Sequence, residues 1–337
     1  MQRIAITQPR TEDLPRSEAV EFVRRIDELG YEALWVPESW GRDAFVTLAL
    51  LACNTKRLHL GTGIVNVFSR TPGAIAQAAA TLDELSGGRF LLGLGTSGQR
   101  VIENWHGVPY EKPIQRTREY IDIVRLALSG ERVNYDGQIF HLKDFRLPFK
   151  PPRARIPIYV ASLGPLNTKM AGEKADGWMP TYFSRTRGDV QLKVLEEGAK
   201  AAGRSLAEIE VAPYLISCVS DDDAATARAL ARAHVAYYVG GMGVYYNNLM
   251  QRYGYVEEAA RIKELWEKGD RKGAAAALPD VMLDDVSLAG SPGQVHEKLE
   301  EYRARGVTLP IIALAHGVPR DMIRTTIETF APRKAGG

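Results

Sequence analysis

Short runs of β-branched and aliphatic residues alternate with longer amphipathic stretches along this chain, a rhythm that restricts it to a parallel sheet wrapped by helices. Arg3 to Thr7 reads as a first strand. Ser17 to Leu29 then carries Ala19, Val20, Val23, Ile26 and Leu29 at helical spacing before Gly30 stops it. Ala33 to Pro37, Leu58 to Thr62 and Arg89 to Gly93 supply the next strands. Between them lie helices over Phe45 to Asn54 and Pro72 to Leu85, the second opened by proline in its first turn.

The rhythm breaks from Gly95 to Pro157, where a helix over Pro113 to Leu128 precedes a hairpin signal from Tyr135 to His141. It resumes with a strand at Ile156 to Val160, a helix at Asn167 to Ala175, a short strand at Gly177 to Met179 and a helix at Asp189 to Ala202. Ile209 to Val219 reads as one long strand. Asp221 to Asp223 put negative charge at the start of the helix from Ala224 to Val239. A second irregular stretch, Gly240 to about Gly290, holds helical segments over Val256 to Lys268 and Arg271 to Leu278. Pro292 to Arg305, Leu309 to Ala313 and Pro319 to Phe330 finish the pattern as helix, strand and helix.

This makes eight strand–helix units: an α/β chain expected to form a (β/α)8 TIM barrel with insertions after strand four and after strand seven. The 337 residues exceed the roughly 250 of a plain barrel, yet composition never shifts enough to mark a second domain. Residues 1–332 are therefore expected to form a single domain, with 333–337 a flexible C-terminal tail. With 43 Lys and Arg against 41 Asp and Glu, scattered rather than striped, no nucleic-acid partner is implied. Cys53 and Cys218 lie in apolar runs, where buried thiols belong, and a reducing compartment fits. No apolar run approaches the length of about 20 residues that spans a bilayer. A strand-like start with no charged leader reads as cytoplasmic.

In such barrels ligands sit where strands hand over to helices. After strand two, Pro37-Glu38-Ser39-Trp40 brings a carboxylate, a hydroxyl and an indole to the rim; the alternative is a helix-capping loop. After strand three, Gly61-Thr62-Gly63-Ile64-Val65-Asn66 has glycines that let backbone approach a flat ligand, or that simply make a turn. After strand four, Gly93-Leu94-Gly95-Thr96-Ser97-Gly98 offers amides suited to anionic oxygens. After strand five, Ala161-Ser162-Leu163-Gly164-Pro165 opens a helix and suits a phosphate, or tight packing. None has the spacing of a Rossmann fingerprint or a P-loop.

Together these loops resemble the bacterial luciferase-like superfamily, and within it the branch dependent on the deazaflavin coenzyme F420. The likeness covers most of the barrel. It is most specific from Leu60 to Pro72 and on through Ala76 to Thr96, which contains Thr-Leu-Asp-Glu-Leu-Ser-Gly-Gly-Arg; Ala171 to Trp178 adds to it. The resemblance implies a cis peptide at Gly63-Ile64, forming a bulge behind the central ring of the cofactor and leaving the opposite face to substrate. It also implies that Glu38 and Ser39 border the ring system, Asn66 hydrogen-bonds its pyrimidine edge and Thr96 lines the site. Ala161, Ser162, Leu163, Gly164 and Pro165 would seat the phosphate; charge alone, rather than the resemblance, points to Arg70 or Arg100 for the carboxylates of the tail. The implied activity is hydride transfer between F420 and a small organic substrate, with Glu38 giving proton or charge support, in a homodimer or higher homo-oligomer.

Departures narrow this. F420-dependent glucose-6-phosphate dehydrogenases carry histidine where this chain has Ser39 and glutamate near Gly98, which argues against sugar-phosphate oxidation. Methylene-tetrahydromethanopterin reductases carry an acidic residue at the end of strand one, where this chain has Thr7; a pterin-like substrate stays open. Two other readings remain: a monooxygenase using FMN, and a barrel that binds cofactor without catalysis. For proton handling the rim offers Glu38, Asp43, Glu103, His106, Tyr110 and Tyr182. The Tyr237-Tyr238 and Tyr245-Tyr246 pairs read first as core or subunit contact, and second as a substrate wall.

Overall fold

A computed structural model describes residues 2–9 and 15–332 of the chain; the expected tail, 333–337, lies outside the described residues. Strands β1 (Ala5–Thr7), β2 (Ala33–Val36), β3 (His59–Thr62), β4 (Val65–Asn66) and β5 (Phe90–Gly95) alternate with helices α1 (Arg16–Leu29), α2 (Ala44–Ala52) and α3 (Pro72–Leu85). Next come α4 (Gln99–Asn104), α5 (Pro113–Leu128) and an antiparallel hairpin of β6 (Val133–Asp136) and β7 (His141–Phe145). The parallel rhythm returns with β8 (Ile158–Ala161), α6 (Pro165–Lys174), β9 (Gly177–Trp178), α7 (Asp189–Ala201), β10 (Glu210–Val211), β11 (Tyr214–Val219) and α8 (Ala224–Gly241). Helices α9 (Val244–Arg252), α10 (Val256–Glu267), α11 (Arg271–Ala276) and α12 (Asp280–Val286) then precede β12 (Ser287–Gly290), α13 (Pro292–Ala304), β13 (Ile311–Leu314) and α14 (Arg320–Thr329).

The main sheet runs β10-β9-β8-β5-β3-β2-β1-β13-β11-β12, parallel at every ladder, with β4 added beside β5. A bridge between Thr181 and Tyr214 brings the segment after β9 back to β11, so the sheet curls on itself with helices outside it. Alternation along the strands divides the core. Ala5, Ala33, Trp35, Tyr159 and Ile311 pack inside the curl, while Ile6, Leu34, Leu60 and Ile158 face the helices. Trp35 and Tyr159 meet edge to face at 4.8 Å. Glycine makes room for both rings: a Cβ on Gly61 would come within 2.3 Å of Trp35, and one on Gly177 within 2.1 Å of Tyr159.

Three local expectations change. The long strand over 209–219 divides at Ala212-Pro213, because Pro213 has no N–H to give the ladder. Its first part pairs with β9 and its second with β13 and β12. The irregular stretch after strand seven is mostly helical and ends in β12, whose Ser-Leu-Ala-Gly is too short and small to announce a strand. Cys53 is exposed at the end of α2 rather than buried, whereas Cys218 is buried as expected. The hairpin after α5 is present, one strand on each side of residues 137–140. Among the described residues, no helix is long and apolar enough to cross a membrane.

Candidate functional site

The carboxyl ends of the strands surround a cavity of about 510 Å³, the end where parallel barrels bind ligands. Its floor is laid by residues at or just beyond the ends of β3, β5 and β8: Gly63, Ile64, Gly95, Thr96 and Ala161. The Gly63-Ile64 peptide is cis, as the resemblance implied. Gly63 is required by its neighbour. The Tyr214 hydroxyl donates to the Gly63 carbonyl at 3.0 Å, and a Cβ on Gly63 would lie 1.9 Å from that hydroxyl. Gly95 likewise leaves space for the Ile64 side chain, which a Cβ would approach at 3.0 Å.

One edge of the cavity is the start of α6. Helices α2 and α3 are capped by side chains: Asp43 accepts from Val46 at the start of α2, and Thr71 from Ala74 at the start of α3. Such caps contribute about 1 kcal/mol each. Helix α6 begins instead with Gly164, which has no capping side chain, and Gly164, Pro165, Leu166 and Asn167 all line the cavity. Its free amides and positive dipole end therefore face the cavity. Added Cβ atoms on Gly164 or Gly98 would meet nothing within 4 Å, so backbone is open to a ligand at both loops. The Asn167 Oδ1 is buried with no hydrogen-bond partner. These residues fit a ligand that is flat over the strand ends and anionic beside α6.

Of the residues named from sequence, Glu38, Ser39, Gly63, Ile64, Thr96 and Ala161 to Pro165 come together on this wall. Asn66 does not. It is buried behind the floor, where its Oδ1 accepts the amides of Phe68 and Ser69 at 3.0 and 2.7 Å and its Nδ2 meets His106 Nε2 at 3.3 Å. Ser162 borders the cavity, but its hydroxyl accepts from Trp178 Nε1 at 2.8 Å and bonds with Thr168. Glu38 is firmly held. Its oxygens accept Arg70 Nη1 and Nη2 at 2.7 and 2.9 Å and the Ala44 amide at 2.8 Å. Arg70 also reaches Asp43, so it is committed to the loop after β2 rather than to a distant carboxylate. The hydrogen bonds that Arg70 donates to Glu38 raise it further above its ordinary guanidinium value, outweighing burial, which lowers it.

The other proton-handling candidates scatter. Asp43 caps α2, Glu103 is exposed and bonded to Gln99, and Arg100 is exposed on α4. Tyr110 lines the cavity, its phenol pushed up to about 12, chiefly by burial. Tyr182 is fully buried. Another wall, made by α8, α9 and the residues after β13, holds His234, Tyr238, Met242, Tyr245, Tyr246 and His316; sequence reasoning gave the tyrosine pairs a substrate wall only as a second reading and left His234, Met242 and His316 unassigned. The tyrosine pairs were the visible signal; Tyr238, Tyr245 and Tyr246 face the cavity, and Tyr237 instead meets Trp266.

A curled parallel sheet with a ligand cavity at its strand ends defines a cofactor- or substrate-binding α/β protein. More specifically, the chain belongs to the luciferase-like monooxygenase family, whose model matches residues 3–309. It is 35% identical over 316 residues, 88% of this chain and 91% of the relative, to a Mycobacterium tuberculosis protein provisionally named a coenzyme F420-dependent oxidoreductase. It is 32% identical over 302 residues, 88% of this chain and 89% of the relative, to the 5,10-methylenetetrahydromethanopterin reductase of Archaeoglobus fulgidus. The solved structure of the coenzyme F420-dependent tetrahydromethanopterin reductase of Methanopyrus kandleri superposes with a TM-score of 0.84 at 27% identity, covering 98% of both chains.

Proposed function

We infer that the chain is a coenzyme F420-dependent oxidoreductase that moves a hydride between the deazaflavin and a small organic substrate. The observation that carries this reading is the cavity itself, with a glycine-lined floor for a flat ring and the uncapped end of α6 at its edge for a phosphate. The names of the Mycobacterium and Archaeoglobus relatives support it. When bound, the deazaflavin supplies two-electron hydride chemistry, with the protein contributing orientation and electrostatics.

The chain's own residues divide that work. Gly63, Ile64 and Thr96 back the ring. The amides at Gly164 and at the start of α6, flanked by Ala161 to Leu163 and Pro165, receive the phosphate. Ser39 and Glu38 border the ring. Because donors hold both Glu38 oxygens, its part is to fix the loop after β2, and its support of the reaction is one of charge and position. Asn66 acts from behind, holding the turn over 66–69 through its side-chain carbonyl.

The finer architecture follows the same reading: eight strand–helix units closing a (β/α)8 barrel, with insertions after strands four and seven, in one domain over 1–332. A homodimer or higher homo-oligomer in the cytoplasm completes it. The deciding experiment is a pair of titrations of the purified chain, with F420 and with FMN, followed by tryptophan fluorescence; Trp40 lines the cavity and reports on it. Saturable quenching by F420 with no response to FMN is expected. Tight FMN binding without a response to F420 would turn the protein into a flavin monooxygenase. F420 binding with no turnover on a broad substrate panel would leave a non-catalytic barrel.

A further inference from the structure

The cavity wall built by α8, α9 and the residues after β13 is a cluster of rings. His234 and Tyr238 stack at 4.9 Å, His234 and His316 meet edge to face at 4.1 Å, and Tyr238 and Tyr246 meet at 5.0 Å. Tyr182 lies beneath them, fully buried, 5.7 Å from each of Tyr238 and Tyr246, and its hydroxyl has no hydrogen-bond partner. The His316 amide donates to His234 Nδ1 at 3.0 Å, which puts the His234 proton on Nε2 and makes that ring neutral. Among the described residues lining the cavity, Glu38 is the only Asp, Glu, Lys or Arg, and Arg70 is paired with it.

We propose that this wall is the substrate subsite, and that it takes a neutral, flat, π-conjugated molecule carrying a carbonyl or imine, rather than an anion or a polyhydroxylated sugar. The inference rests on the oxidoreductase reading for the direction in which the ligand faces and for its carbonyl or imine, and on the rings alone for its flatness and neutrality. Rings held edge to face offer both faces and edges to a planar guest, and each arrangement favours another π system over an aliphatic one. A carboxylate or phosphate moved onto this wall would lose its water without finding a Lys or Arg among the described residues that line it. A sugar would leave several hydroxyls unpaired against ring faces. The three tyrosines Tyr182, Tyr238 and Tyr246 pack mutually, so the wall is preformed and holds its shape without a ligand.

The test uses calorimetric titration of the full chain, with and without F420, against two probes of one shape: neutral 2-acetylnaphthalene and anionic 6-acetyl-2-naphthoate. The neutral ketone is expected to bind at least tenfold more tightly. Tyr246→Ala should weaken the ketone at least fivefold, Tyr246→Phe should restore most of its affinity, and neither should change the affinity for F420. The unfolding midpoint of each variant is measured alongside; if Tyr246→Ala does not fold, His316→Leu provides the same comparison. Equal or tighter binding of the naphthoate, or ketone affinity indifferent to both Tyr246→Ala and His316→Leu, overturns the proposal. Failure of F420 to bind while the ketone keeps its tenfold preference would instead sink the oxidoreductase reading and leave the subsite standing.

Discussion

Gly63 sits where no side chain fits, between Trp35 Cβ at 3.0 Å and the Tyr214 hydroxyl at 1.9 Å from an added Cβ. Gly63→Ala is therefore expected to destabilise the protein by about 1–3 kcal/mol, the usual cost of overpacking. Tyr214→Phe removes the nearer obstacle, so the double variant should recover part of that loss; chemical denaturation of the four proteins measures the coupling. Glu38→Gln keeps the shape but removes the charge that Arg70 holds. It should loosen F420 binding severalfold while leaving the fold intact, and unchanged binding together with unchanged turnover would remove Glu38 from the site. The two thiols make a simpler contrast. Burial pushes the Cys218 thiol up to about 12, whereas Cys53 is exposed. Alkylation at pH 8 should label one thiol per native chain, at Cys53, and two after unfolding. A raised thiol value means that the folded state keeps its proton: this contribution to stability is complete below about pH 8.5 and is lost as pH climbs toward 12.

Helix α3 is tied to the strand it precedes by Asp83, a fully buried carboxylate that accepts Arg153 Nε and Nη2 at 3.0 and 2.5 Å and the Phe90 amide at 3.3 Å. Removing its charge leaves the Arg153 guanidinium partly stranded, so Asp83→Asn should lower unfolding free energy by on the order of 3 kcal/mol in urea titration. Elements of this kind were legible in the sequence because periodicity reports them directly: α1, α3, α5 and the early strands follow the apolar spacing closely. Strand β12 was not, since four residues containing Ser, Ala and Gly carry no alternation strong enough to read. The site was legible on one side only. Gly63, Thr96 and Gly164 follow strands and cluster in loops of unusual composition, so local sequence marks them. His234 lies in mid-helix on α8 and His316 shortly after β13; residues 82 positions apart meet only through the curl of the sheet, which no local pattern encodes. Cys53 misled for the opposite reason: an apolar run, Leu48 to Ala52, ends one residue before the chain turns outward.

For the molecule as a whole, a ligand that binds only the folded state adds to its stability by mass action. At a hundredfold excess over Kd, F420 should stabilise the native protein by about 2.7 kcal/mol, visible as a rise in Tm that grows with cofactor concentration; a Tm indifferent to F420 would contradict the proposed function. The break at Pro213 has a consequence for how the whole wall breathes. On either side of it the chain keeps the same neighbours, with the Ala212 and Tyr214 amides donating to Trp178 and Pro180 and the Leu309 and Ile311 amides donating to Val211 and Pro213, but the ladder is short of one donor. Amide protons at 211, 212 and 214 should consequently exchange with deuterated water sooner than those of β2 and β3. Tyr214, which grips the cavity floor through Gly63, stands at that same seam. A momentary parting of the wall there would be felt first by the floor of the cavity, tying the pace of local opening to the residence time of whatever lies upon it.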